Sequence, residues 1–462
     1  GVSLTTRLDR LVGGAGPTGL TPAVAAGPSP SVRVGEATSR HGGMAGTVTV
    51  AGSRADLGSH RLHATASPAV EALLQRLLGA DLQVRPRNGR FRMAGTWLRF
   101  PPRPADLARH LPASFVHGAA RDLAAGPVRR ARSIDPRDDS ATFADVVDAR
   151  LGPTMLDWFY GPYAEKLWGR TADQLAGELA RRRIASTSGP ALLAGAARTV
   201  RPTPPTFRYP AHGYGQLVER LAEESERLGV TIDLGCRVAA VTPTPDGARV
   251  ELADGRSIDA GRVFWTGPPD ALDRLLGHPD RSPPRRAMAC VYLAFPVERV
   301  SPYDAHYLPG SESVATRISE PKNYRDGPDP SDVTVLCAEV PCDLGDAIWT
   351  ASDTDLAERI RDEIAAIGLT TLRPFDVHVE RLPSVYPVYS AEESAAVRDR
   401  RGEAAPGVTV LGRQGLVVAD NVHHVMQMAL DAVECLGPPG SAWDHAGWHR
   451  ALDRFDRHVV AD

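Results

Sequence analysis

Gly14-Ala15-Gly16-Pro17-Thr18-Gly19 is the first stretch of the chain whose residue types and spacing could do chemistry. Glycines at these intervals let a backbone turn tightly and approach a pyrophosphate that rests on the positive end of the next helix. Glu36 follows Gly14 by 22 residues, where a carboxylate ending a second strand can accept from ribose hydroxyls. Arg40, Gly42 and Gly43 add a cation and a glycine doublet beside the same phosphates. Further on, Tyr163, Lys166 and Trp168 fall close together. They offer a stacking face for a base and a charge for phosphate, or, on the plainer reading, a helix that buries its aromatics in its own core. Asp444, His445 and His449 put two imidazoles at i and i+4, a metal-site spacing. With no third ligand identifiable, that stretch reads as a solvated helix face and no metal site is assigned.

A phosphate-binding turn needs a strand before it and a helix after it. Leu8–Val12 reads as the strand, a short helix follows, and residues 31–35 form the second strand, the order of a βαβ nucleotide-binding unit. Arg7, Asp9 and Arg10 conflict with the apolar character of a central parallel strand. Pro22 removes a helix donor, and Pro28 and Pro30 keep the helix short. Two readings follow: packing that tolerates these residues, or a degenerate pocket. Thr142 with Asp145 predicts a capping box opening a helix through Arg150. Leu217, Val218, Leu221 and Leu228 recur at helical spacing before Gly229, and Val230, Ile232 and Leu234 then alternate as a strand. Short strands at 263–265 and 408–411 run into Thr266-Gly267-Pro268 and Gly412-Arg413-Gln414-Gly415. The nucleotide domain is therefore expected in three pieces, 1–85, 205–280 and 400–462. Residues 86–204 are expected to form a mainly helical domain and 281–399 a sheet-containing one. The charged, proline-containing run 129–140 reads as a mobile surface loop.

A length of 462 residues implies two or three domains. The 53 basic and 56 acidic residues nearly cancel, at a net charge of -3, which provides no field for nucleic acid or an anionic membrane. No apolar run approaches a membrane span and the first residues lack the apolar core of a leader, so the expected location is cytoplasmic. The five cysteines, Cys236, Cys290, Cys337, Cys342 and Cys435, are scattered and read as reduced, inert thiols.

Taken together, the segments 36–43 (E-x3-R-x-G-G) and 56–61 (Asp-Leu-Gly-Ser-His-Arg), the run 159–169 carrying Y-x-x-K-x-W-G, and the later segments 266–268, 317–323, 386–389 and 412–413 bear a family likeness. The chain resembles the FAD-dependent UDP-galactopyranose mutases and their protoporphyrinogen-oxidase and amine-oxidase relatives. The resemblance implies an α/β fold: a discontinuous Rossmann-like FAD-binding domain of the glutathione-reductase type, with helical and antiparallel-sheet substrate domains. It assigns Gly14, Gly16, Gly19, Glu36, Arg40, Gly42, Gly43, Gly58, Gly412, Arg413 and Asn421 to FAD. His60 would face the flavin and the sugar ring. Arg317 would hold the diphosphate through the reacting step, and Tyr163, Lys166, Trp168, Lys322, Asn323, Tyr386 and Tyr389 would bind substrate, with Arg183 a weaker candidate.

The activity implied is isomerisation of a nucleoside-diphosphate hexose between pyranose and furanose forms, with reduced flavin as the nucleophile. That calls for arginines and tyrosines on the diphosphate more than for a strong base. A flavin oxidoreductase acting on an amine or a porphyrinogen is the second reading, and a relic that binds a nucleotide sugar without converting it is the third. Were the flavin pocket empty, a divalent metal on the diphosphate would be the substitute electrophile. The expected partner is a nucleotide sugar, with a homodimer possible and neither nucleic acid nor membrane expected.

Overall fold

Leu8, Leu11 and Val12 are buried while Arg7 and Asp9 are exposed, and this split shows how the first strand carries its charges. In the computed structural model the strand Thr6–Gly13 lies parallel to Val32–Gly35 on one side and Ser257–Trp265 on the other. Its charged first half pairs with the start of Ser257–Trp265, where Arg7 stands opposite Asp259. Its apolar second half runs into the glycine turn. Arg7 and Asp9 are exposed on either side of buried Leu8 and Arg10 is half-buried, so the charges are tolerated. That helix, Pro17–Ala25, keeps Pro22 inside nine residues, and Thr21 Oγ1 donates to the Pro17 carbonyl at 2.7 Å.

The structure describes residues 6–28, 30–63, 65–100, 104–132, 138–184, 206–280, 282–399, 401–418, 420–438 and 441–458. Within them the strands Val238–Thr244, Gly247–Leu252, Ser257–Trp265, Thr6–Gly13, Val32–Gly35 and Thr231–Asp233 lie side by side in that order. Val408–Val410 joins Ser257–Trp265 in parallel register, making an eight-stranded sheet with Glu403–Ala405. One apolar core spans this sheet and the helices Pro17–Ala25, Pro68–Leu78, Gln216–Arg227 and Val422–Glu434. Residues from 8–82, 207–276 and 404–455 share this core, together with Tyr324.

The second sheet has seven strands, ordered Asp376–Pro387, Arg285–Phe295, Thr334–Cys342, Arg317–Ser319, Ala305–Tyr307, Gly89–Met93 and Thr96–Phe100. All neighbours are antiparallel except Ala305–Tyr307 beside Gly89–Met93. The stretch 86–204 therefore does not begin as a helical domain: its hairpin 89–100 extends the sheet of 281–399. Helices follow at Pro104–His110, Ala113–Arg132, Phe143–Leu151, Gly161–Trp168 and Gly177–Ile184. The predicted capping box is present, with Asp145 N–H donating to Thr142 Oγ1 at 3.2 Å and Thr142 N–H to Asp145 Oδ2 at 2.8 Å. Residues 129–132 continue a helix instead of opening a loop, 138–140 turn into the next one, and 133–137 lie outside the described residues. No helix among the described residues is long and apolar enough to cross a membrane.

Candidate functional site

A cavity of about 470 Å³ runs from the glycine turn, along the edge of the eight-stranded sheet, to the face of the seven-stranded one. Gly14, Gly16, Glu36 and Gly43 line its first part, Gly58, Ser59 and His60 its middle, and Tyr163, Arg317, Glu339 and Tyr386 its far end. The first part is built from backbone that has no room for side chains. Gly14 has φ +114°, and a Cβ on it would lie 2.3 Å from Thr266 Oγ1. A Cβ on Gly19 would lie 1.8 Å from the Gly14 carbonyl oxygen, so the helix can approach the turn this closely only with glycine there. Glu36 closes the turn by accepting from Ala15 N–H at 2.9 Å and from Thr38 N–H at 2.9 Å. Arg413 and Asn421 line the wall opposite, where Asn421 caps the Val422–Glu434 helix. Gly42, with φ +119°, donates to the Ala15 carbonyl at 2.8 Å, and Gly412, with φ +83°, packs on Thr18; both support the lining without being part of it. Arg40 turns away and pairs with Glu380 at 3.1 Å. The expected pyrophosphate cation is instead a surface ion pair, because the turn after Glu36 points its side chain outward.

In the middle, the Gly58 backbone (φ +91°) brings Ser59 and His60 to the cavity. The His60 ring stacks on Tyr214 at 4.9 Å, and its Nε2 lies 3.1 Å from the Leu57 carbonyl. Burial lowers the His60 pKa against the pull of Asp56 and Glu339, so the imidazole is neutral at neutral pH. At the far end Arg317 stands directly across the sheet from Glu339. Its Nε and Nη2 bond the two carboxylate oxygens at 2.8 Å each, and Nη2 also reaches the Ser59 carbonyl at 3.2 Å. Nη1 keeps no hydrogen-bond partner among the described residues. Burial opposes the guanidinium charge, and the paired Glu339 more than restores it.

Several expected substrate residues do other work. Lys166 donates to the carbonyls of Leu308 at 2.6 Å and Ala315 at 3.1 Å, and burial lowers its pKa to about 8. Trp168 is 2 % exposed and packs edge-on against Phe143 and Tyr386, so its stacking face is spent in the core. Lys322 ties down three carbonyls, of Pro330, Ser331 and Val333. Asn323 bridges Ser301, Tyr303 and Arg299. Tyr389 is 1 % exposed and belongs to a buried knot with Glu178, Arg182 and Arg401. Each has the chemical type of a ligand binder within its motif, and tertiary packing turns that type inward. Arg183 lies in the Gly177–Ile184 helix, its side chain outside the described residues. The cavity also holds groups that pattern reading missed. Glu339 sits in an almost wholly apolar strand, Tyr214 stands between Gly213 and Gly215, and Arg61, bonded to Asp304 and Tyr324 at 3.1 Å each, lies just after His60. A lone charge inside an apolar strand and a glycine-flanked aromatic were the available signals.

Residues 23–432 match the family model of flavin-containing amine oxidoreductases. The chain belongs to that family. No curated protein sequence matches it. Among solved structures it is similar to a reduced UDP-galactopyranose mutase, at 18% identity and a TM-score of 0.76, over 98% of this chain and 100% of that one. A putative protoporphyrinogen oxidase from Exiguobacterium is 20% identical with a TM-score of 0.71, over 93% and 98% of the two chains. Cyclohexylamine oxidase from Brevibacterium oxydans is 18% identical with a TM-score of 0.63, over 92% and 98%. These likenesses establish the α/β fold of this flavin-dependent enzyme family. The glycine cradle at Gly14, Gly16 and Gly19, the Glu36 carboxylate and the adjoining cavity fit a flavin dinucleotide in this member.

Proposed function

We propose that this flavin-containing amine oxidoreductase family member is an isomerase that interconverts the ring forms of a nucleoside-diphosphate hexose. The observation that carries the reading is the far end of the cavity, where Arg317, Tyr163 and Tyr386 meet opposite His60. A guanidinium with Nη1 unengaged and two phenols suit a diphosphate that must be held while it leaves the sugar. Bound and reduced, the flavin supplies the nucleophile for the anomeric carbon. Neutral His60, held by the Leu57 carbonyl and the Tyr214 ring, positions the sugar and accepts or returns a proton as the ring opens and closes. Glu339 fixes the plane of the Arg317 guanidinium.

A second reading, an oxidoreductase acting on an amine, is favoured by one feature. Glu339 cancels the Arg317 charge, and Lys166 and Lys322 stay outside the cavity, so its far end carries little net positive charge. The test is to incubate the reduced protein without oxygen with UDP-, GDP- and dTDP-hexoses and separate the products by chromatography. The mutase reading expects a new isomer of unchanged mass from one of them. Failure with all three, together with oxygen uptake on amines in air, would establish the oxidoreductase reading.

A further inference from the structure

Three ligand-type side chains converge where the chain's last helix meets the foot of Val422–Glu434. Asp420, His424 and His458 each offer a donor atom, and these atoms lie within 4.8 Å of one another. His458 Nδ1 is 3.2 Å from Asp420 Oδ2, and His424 Nδ1 is 3.8 Å from Asp420 Oδ1. Metal–ligand bonds of roughly 2.1 Å at tetrahedral or right angles place donors about 3.0–3.4 Å apart, close to what is found before any ion draws them in. The two imidazole rings stack at 4.2 Å and 18°, which holds them side by side. Asp420 touches the cavity wall, while neither histidine is part of the lining.

The three groups adjoin a buried network of ion pairs. Arg182 bonds Glu178 at 3.1 Å and Asp420 at 2.9 Å and approaches Asp456 at 3.7 Å; Arg401 bonds Glu178 at 3.0 Å and also pairs with Asp456. Arg182 bonds Oδ1 of Asp420, and Oδ2 pairs with His458 Nδ1 at 3.2 Å, a contact that an ion between the two would replace. The bond an ion must displace at His424 is the long Asn421 N–H to Nδ1 contact of 3.4 Å.

We propose that Asp420, His424 and His458 bind one late first-row divalent ion of the zinc type, which fastens the segment after the His445–Phe455 helix to the helix forming the cofactor wall. Two imidazoles with one carboxylate select such an ion over magnesium or calcium. The ion takes no part in the sugar chemistry, and the site stands whichever reaction the enzyme performs. It is also distinct from His445 and His449, which lie exposed on the His445–Phe455 helix.

The test is calorimetric titration of the full, flavin-loaded chain with Zn²⁺ alone after dialysis against a chelator. One equivalent is expected, with affinity weakened roughly 100-fold or more in H424A and in H458A, and unchanged in a H445A/H449A double variant. Zn²⁺ is also expected to raise Tm in the parent and not in H458A. Retained flavin reports that each variant is folded; H458A, at the end of the described chain, decides the matter should H424A lose its flavin. No stoichiometric binding by the parent, full affinity in H458A, or loss confined to H445A/H449A would overturn the proposal.

Discussion

Arg317 is fixed by two bonds to Glu339 and one to Ser59, so its guanidinium can meet a ligand in one orientation only. Lysine keeps the charge and loses the fork. Arg317→Lys is therefore expected to lower kcat/KM for the nucleotide sugar by roughly 100- to 1000-fold with flavin content unchanged, measured by steady-state kinetics and absorbance. Trp168 makes the opposite case. Because its faces are buried against Phe143 and Tyr386, Trp168→Phe should cost about 1–2 kcal/mol of stability while KM stays within about threefold. A large rise in KM with unchanged Tm would show that Trp168 stacks on substrate after all. At this scale the sequence was legible where backbone dictates the residue, as at Gly14 and Gly58. It was illegible for long polar side chains: Lys166, Lys322 and Asn323 have the chemistry of ligand binders, and nothing local reveals that they bond carbonyls across the fold.

The glycine turn with its helix and two parallel strands was the most readable element, because turn, periodicity and the trailing carboxylate agree with one another. Its tightest point is Gly19, where even a methyl group would meet the Gly14 carbonyl oxygen. Gly19→Ala must push the Pro17–Ala25 helix off the turn, and purification should yield protein with less than about a tenth of the parent's flavin and a lower Tm. Parent-like flavin content in this variant would mean that the turn does not carry the cofactor. The strand read at Leu8–Val12 is present with its charges, and one element reading failed for a nameable reason. Thr6–Gly13 carries its charges because Arg7 and Asp9 are exposed on either side of buried Leu8, which a rule for central strands does not anticipate. The run 129–132 is helical although its charges show no apolar period, since the Ala113–Arg132 helix was nucleated well upstream.

Across the whole molecule, the sharing of one core by three separate stretches is foreshadowed by strands that each end in a glycine turn, whereas the attachment of hairpin 89–100 to the second sheet depends on a partner strand more than 200 residues away. The fold also sets a pH response. Burial lowers His306 and His423 to about 3 and His424 to about 4, from the usual 6.5. A lowered folded pKa means that the unfolded chain takes up protons first as pH falls. The stability these neutral histidines provide is complete above pH 6.5 and declines as pH drops from there toward the folded values. Tm is expected to fall between about pH 7 and pH 4.5, and less steeply in His306→Gln, whose amide can still accept from Arg90; equal slopes would remove His306 from the account. The central claim, that a flavin in this cavity serves a nucleotide sugar without net redox change, is tested most directly by one spectrum. The purified, oxidised protein is followed by visible absorption without oxygen as nucleoside-diphosphate hexose is added, and then as amine is added. The account predicts about one flavin per chain and an oxidised band that neither addition bleaches. A colourless protein, or a band bleached by either compound, would contradict it.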